Sequence, residues 1–298
     1  MRDKLAPLGW GELDDRVILN ALKVRWDVDI YGARPELIVN HFKTEKRDDE
    51  TDAQVFERIF SELETHMEAV IELLRRCEVW GPASLPYMFQ FVALVEARRR
   101  LGSDEAFYAA TDGLVRWFWL TTFTDYFTGM TSNMIRAATE HVFEVAQGAV
   151  ETLPGQPELS VPPLRQHNFS AVRTKARVLF MLRQIEDEGV HDARARLLGM
   201  NGAKALQKIA AKMPDNRPGA RIIADSAELN RVRAALDDLA YPDRAKILAE
   251  HVIDEASVEA LAAGDMQGFL DAREEQLEGL EREFLEQLFA SAQPADDD

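Results

Sequence analysis

At 298 residues, with 46% hydrophobic and 29% charged side chains, the chain has the composition of an ordinary soluble globular protein, long enough for one large or two modest domains. Its formal charge of −17 argues against generic attraction to DNA or to anionic membranes. The single cysteine, Cys77, excludes an internal disulfide and, with no histidines clustered about it, a zinc site, in keeping with a reducing cytosol. The opening MRDKLAPLGW lacks the apolar core of a signal peptide, so a cytoplasmic location and no membrane association are expected.

Gly9 and Gly11 flank Trp10 ahead of a first helix carrying Val17, Leu19, Leu22 and Trp26. Residues 27–52 are polar and broken by Gly32 and Pro35, and read as irregular or weakly helical, with KTEKRDDETD a solvated loop. From about Asp52 to Arg76 a clean amphipathic helix keeps Val55, Phe56, Ile59, Phe60, Leu63, Met67, Val70, Ile71 and Leu74 at spacings of three and four. WGPASLP ends it. The next helix, Pro86 to Arg100, is very apolar, and its closing Arg98 to Arg100 complement the negative end of the helix dipole. Gly102 stops it and Ser103 caps a helix beginning near Asp104.

That helix leads into GLVRWFWLTTFTDYFTGMTSN, Gly113 to Asn133, which concentrates two of the five tryptophans, three phenylalanines and a tyrosine before Gly129. Read as a helix, it sets Leu114, Trp117, Phe118 and Thr121 on one face and Arg116, Trp119, Phe123 and Tyr126 around the others, with Trp119 and Tyr126 at one azimuth. A helix apolar almost all round belongs in the centre of a fold. A buried core helix is the first reading and a ligand-stacking site the second. Arg116 and Tyr126 require polar partners if buried. Thr131 or Ser132 then caps a helix to about Val150, with Met134, Ile135, Ala138, Val142 and Val145 inward.

TLPGQPELSVPP is the strongest boundary, giving an N-terminal helical subdomain (1–151), a Pro-rich linker (152–163) and a C-terminal helical subdomain (164–290), with a disordered acidic tail at 291–298. Helices are expected at Phe169 to Glu188 and Asn201 to Met213, a short extended connector at Arg221 to Ala224, and a helix capped by Ser226 through Leu239. Asp243, Asp254 and Asp265 cap three more, the last running from Met266 to Ala290. The fold class is therefore all-α, a multi-helix bundle in two packed helical subdomains, with no sheet larger than a short hairpin.

No catalytic or cofactor signature emerges. There is no P-loop and no dinucleotide fingerprint, no histidine pair has the spacing of four that places two imidazoles on one metal, and no nucleophile and base constellation is visible. Charge is less evenly spread. Between Leu159 and Pro214 ten Lys and Arg stand against four acids. Lys204, Lys208 and Lys212 recur every four residues as one stripe, and Arg173 and Arg177 stack similarly on the preceding helix. Such a face is either solvated and paired with the acidic remainder, or a docking surface for nucleic acid or an acidic partner.

RWFWLTTFTDYFTG, with GPASLPYMFQFVALV some thirty residues before it, resembles the helical region of the DGQQR-motif family of bacterial restriction and phage-defence proteins, which includes the GmrSD-like enzymes. Trp117, Phe118, Trp119, Thr122, Phe123, Tyr126 and Thr128 are similar to its recurrent aromatic sequence. Phe269, Leu270 and Arg273 are similar to a Phe-Leu-x-x-Arg helix near its end, preceded there by a His-containing turn and a short helix. The family's N-terminal ParB/sulfiredoxin-like domain has no counterpart here, and RQHNFSAVRTKARVLF stands where many members carry a His-His-Ile-Phe-Pro nuclease motif. The resemblance implies a non-catalytic helical subunit or fragment of a restriction or anti-phage system, bound to a partner carrying the DGQQR-type domain. A DNA-contacting module or degenerate nuclease of the same setting is the alternative. Arg116, Trp117, Trp119, Phe123 and Tyr126 form the family-like aromatic patch; no cofactor is expected.

Overall fold

The structure, a computed structural model, describes residues 1–32, 35–150, 161 and 164–290. It is all-α: among the described residues the only sheet has two short strands. The chain divides into two compact units, Met1–Cys77 with Pro86–Leu159, and Glu78–Leu85 with Ser160–Asp298. Residues 78–85, expected inside the N-terminal subdomain, thus belong to the second unit. The expected linker, apart from residue 161, and the expected acidic tail lie outside the described residues.

The first unit contains α1 (Arg2–Leu5), α2 (Asp15–Arg25), α3 (Pro35–Thr44), α4 (Asp52–Arg75), α5 (Met88–Leu101), α6 (Asp104–Ala109), α7 (Thr111–Phe123) and α8 (Ser132–Ala146). A capping box starts α4: the Thr51 hydroxyl accepts the Gln54 N–H at 3.3 Å, and the Gln54 side-chain oxygen accepts the Thr51 N–H at 2.7 Å. Of its expected inward stripe, Val55, Ile59, Leu63, Met67, Val70, Ile71 and Leu74 are buried, whereas Phe60 is half-buried and Phe56 is exposed. Helix α5 packs on α2, α4 and α8 and is buried at every position from Gln90 to Arg98. The segment expected to be irregular or weakly helical holds the helix α3, in which Pro35 sits at the first helical position, where its missing N–H costs nothing.

The aromatic run is buried without interruption from Trp117 to Phe123. Its helix differs from the expected one at both ends. It begins after a break at Ala110 (φ −86°, ψ 0°) that separates α6 from α7, and it stops at Phe123, with Asp125 in the left-handed region at φ 52°. Gln90, fully buried on α5, ties the two central helices: its amide nitrogen donates to the Phe118 carbonyl (3.1 Å) and to the Thr121 and Thr122 hydroxyls (both 2.8 Å). Those hydroxyls donate in turn to the Phe118 carbonyl. A polar side chain in this core is thereby satisfied.

The second unit contains α9 (Val172–Leu182), α10 (Glu188–Asn201), β1 (Leu206–Lys208), β2 (Arg221–Ile223), α11 (Ser226–Asp237), α12 (Arg244–Ala249), α13 (Glu255–Ala262) and α14 (Met266–Ala290). The strands pair antiparallel with Leu206 opposite Ile223 and Lys208 opposite Arg221. The helix expected from Asn201 to Met213 does not form. Helix α10 ends at Asn201, Gly202 turns the chain at φ 53°, and backbone pairing with β2 extends the next residues. Ile209, Met213, Ile222, Val232, Ile247, Val258, Phe269 and Leu270 make the core of the unit. Asp225, rather than Ser226, caps α11, while Asp254 and Asp265 cap α13 and α14 as their positions predict; Asp243 supplies no side-chain cap. At the start of this unit Gly81 lies against Gly199 of α10 so closely that a Cβ on Gly81 would meet the Gly199 carbonyl oxygen at 2.4 Å.

Candidate functional site

The aromatic patch has a buried end and an exposed end. Trp117, Trp119 and Phe123 are core side chains of α7, with Trp119 stacked on Phe123 at 5.8 Å, and Arg116 is half-buried. Tyr126 has left the helix and meets Phe127 edge-on at 5.2 Å, so the expected shared azimuth with Trp119 does not exist. From Trp117 a file of rings runs outward: Phe127 at 5.9 Å, then Phe89 at 6.5 Å, then Tyr31 at 6.2 Å from Phe89. Tyr31 is 62% exposed, yet its hydroxyl donates to the Met130 carbonyl at 3.3 Å and its N–H to Asp29 at 2.9 Å. Met88, at the start of α5, and Met134, expected to point inward, are exposed. Beside them the Tyr87 hydroxyl bonds Asp125 (3.1 Å) and Thr128 (2.8 Å). A held aromatic ring among exposed methionines, with a polar margin, has the composition of a protein-binding face. Its sequence signal was weak, since Tyr31 lies in the stretch read as irregular and Met134 fits an inward helical spacing.

Next to this face, within the same unit, a cleft of about 240 Å³ opens between the end of α2, α5 and α8. Arg25, Arg99, Arg100 and Arg136 line it together with Asp27, Asp29, Glu96 and Glu140. Arg25 donates to Glu45 and Glu62, and Arg99 is bidentate on the buried Glu96. Arg100 donates to Glu140 at 2.7 Å and lies over the Phe143 ring at 3.9 Å. Arg136 meets Asp27 at 2.5 Å. Asp29 accepts from the Ser132 hydroxyl, and this bond with the Tyr31 N–H holds its carboxyl below the usual range. The sequence explains Arg99 and Arg100 through the helix dipole alone, and nothing in it brings Arg136 to the same place.

The basic block does not form the expected stripe. Arg173 and Arg177 converge on the buried Glu281 of α14, at 2.5 and 2.6 Å, instead of facing solvent. Lys208 reaches Asp215 at 3.0 Å and donates to the carbonyls of Ala211 and Met213. Lys204 and Lys212 are exposed but sit in a turn and a loop without helical spacing between them. Arg194 is buried with Glu228 and Glu250. The positive charge that the sequence concentrates here is largely consumed inside the unit.

The most elaborate ionic cluster joins α10, α11 and the turn after α12. Glu228 accepts from Arg194 (2.6 Å), from Arg231 (2.9 Å) and from the buried His251 (2.7 Å). Burial would raise the Glu228 carboxyl, but the bond to His251 and the neighbouring guanidinium groups bring it down to about 2, while burial pushes His251 down to about 4. Through these bonds the cluster ties α10, α11 and the turn after α12 to one another. His191 is similarly occupied, with Glu78 at 2.6 Å and Asp192 at 3.2 Å on its two nitrogens. Among the described residues no three His, Cys, Asp or Glu side chains gather in a metal-binding group, and no helix is long and apolar enough to cross a membrane. No family model, no curated protein and no solved structure matches the chain.

Proposed function

We propose that this chain is a non-catalytic helical subunit that docks a partner protein through the face of the first unit around Tyr31. The observation that carries the reading is the file of rings from Trp117 to Tyr31, which ends on a residue 62% exposed whose hydroxyl is held by the Met130 carbonyl and whose backbone N–H is held by Asp29. A ring immobilised before contact loses little conformational freedom on binding, which is how aromatic anchors contribute affinity. The resemblance of RWFWLTTFTDYFTG to the DGQQR-motif family supports a cytoplasmic restriction or anti-phage complex in which the partner carries the DGQQR-type domain. The alternative, a DNA-contacting module, has less to rest on, since Arg173, Arg177 and Lys208 are engaged internally and Lys204 and Lys212 do not form a stripe.

The test is co-purification from the native host of the tagged chain and of its Tyr31→Asp variant. A DGQQR-domain protein retained by the first and lost from the second, at equal thermal stability, is the expected result. Retention by both, or enrichment of DNA in place of protein, overturns it.

A further inference from the structure

We propose that the cleft between α2, α5 and α8 is a binding site for a phosphate monoester, gripped by Arg100 and Arg136, with Asp27 and Glu140 holding those guanidinium groups until the ligand displaces them. This stands apart from the docking face and does not depend on it.

The four arginines and four acids lining the cleft balance one another, but they are not equally committed. Arg25 is tied to two glutamates outside the lining, Glu45 and Glu62, and Arg99 is bidentate on Glu96, which is itself buried. Arg100 and Arg136 are held differently. Their carboxylate partners Glu140 and Asp27 are 56% and 74% exposed, so each can rotate into water without desolvation, and exposed pairs of this kind hold weakly. Arg100 spends one terminal nitrogen on Glu140 and keeps its plane on the Phe143 ring, which presets the guanidinium for bidentate contact. Arg136 spends its donors on the carboxylate and carbonyl of Asp27, a residue in the left-handed region at φ 52°.

Two monoanionic carboxylates leaving and one phosphate dianion arriving keeps the cleft neutral. The exchange replaces contacts to exposed carboxylates by forked ones inside a concavity. A guanidinium fork matches the tetrahedral oxyanion better than an ammonium would.

Isothermal titration of the whole chain with phenyl phosphate, in a buffer lacking phosphate and sulfate, reads the site, with inorganic phosphate and benzoate as comparison ligands. Saturable one-to-one binding of phenyl phosphate is expected, at least tenfold weaker in Arg100→Gln/Arg136→Gln and several-fold tighter in Asp27→Asn/Glu140→Gln, with the unfolding midpoint of each variant confirming that it is folded. Tighter binding in the second variant is the signature of displaced carboxylates. No saturable binding by the wild type, benzoate binding as well as phenyl phosphate, or equal affinity in all three proteins overturns the proposal.

Discussion

The guanidinium of Arg273 donates to the carbonyl of Val252 at 3.1 Å, and Val252 is a β-branched residue held in the left-handed region at φ 53°. A backbone in that region costs a β-branched residue of order 1–3 kcal/mol, so the turn needs a fixed partner. Arg273 also donates to the carbonyls of His251 (2.9 Å), Gly219 (2.5 Å) and Arg221 (3.0 Å), so a fully buried cation is surrounded by main-chain oxygens from two separate stretches. Lysine cannot reproduce that fan from a single nitrogen. Arg273→Lys should destabilise the protein by about 1–3 kcal/mol for each carbonyl left unpaired. Urea unfolding of the variant measures the loss, and an unchanged midpoint contradicts it.

Trp119 sits in the core of α7, stacked on Phe123 and edge-on to Phe118. Removing so large a buried side chain leaves a cavity that the surrounding rings fill poorly. Trp119→Ala should cost about 3–5 kcal/mol. Thermal unfolding checks it; an unchanged midpoint with loss of a bound partner would mark Trp119 as an interface residue instead.

Gly199 tolerates no Cβ, because the added carbon would stand 2.7 Å from the Trp80 carbonyl carbon and 2.8 Å from the Gly81 nitrogen. Neither is the end of a flexible side chain. Gly199→Ala, which in an open helix would help, should here lower stability by about 1–3 kcal/mol through overpacking. Gly279→Ala, at a position on α14 with nothing near its Cβ, is the matched control and should stabilise by a few tenths to about 1 kcal/mol. Chemical unfolding of both variants decides, and the same sign of change in both would contradict the close approach.

Acid should weaken this fold above the range where carboxylates respond. Burial holds His66, His167 and His251 at about 4 in the native state, below the ordinary value of 6.5. The unfolded chain therefore takes up protons as the pH falls through 6.5 while the folded chain does not, and stability declines between about pH 6.5 and 4. At about 1.4 kcal/mol per unit, His251 alone contributes up to about 3 kcal/mol of loss. His66 and His167, less deeply buried, contribute less because water screens them. Glu228 and Glu50, held at about 2, add their own loss only below about pH 4.5. Unfolding free energies at pH 7, 6 and 5 should fall in order, with a shallower fall in His251→Gln.

Much of the first unit is legible because its signals are local. Ser103 and Thr131 cap α6 and α8 as their positions predict, and the α4 stripe is buried apart from Phe56 and Phe60. Where reading failed, a distant partner outweighed the local pattern. Lys204, Lys208 and Lys212, opposite Leu206, Ile209 and Met213, fit a helix perfectly well by spacing. The pairing of Leu206 with Ile223 is invisible at that range, yet it decides the outcome. Helix α10 carries two glycines, Gly189 and Gly199, and the second lets Gly81 approach, a role that only the fold reveals. The cleft was illegible for the same reason: its arginines come from α2, α5 and α8, which only the fold assembles.

The membership of Glu78–Leu85 in the second unit sets a timetable for synthesis. This octet leaves the ribosome more than a hundred residues before Gly199, the residue that receives Gly81, and at ~5–20 residues per second that is a wait of roughly 6–24 s. During it the turn at Pro82–Ser84 lacks α10, on which it packs in the finished fold, although the helices on either side of the octet in sequence, α4 and α5, can already close on each other. A chaperone that binds apolar segments is expected to find Val79 and Leu85, buried in the finished fold, on that octet during the wait.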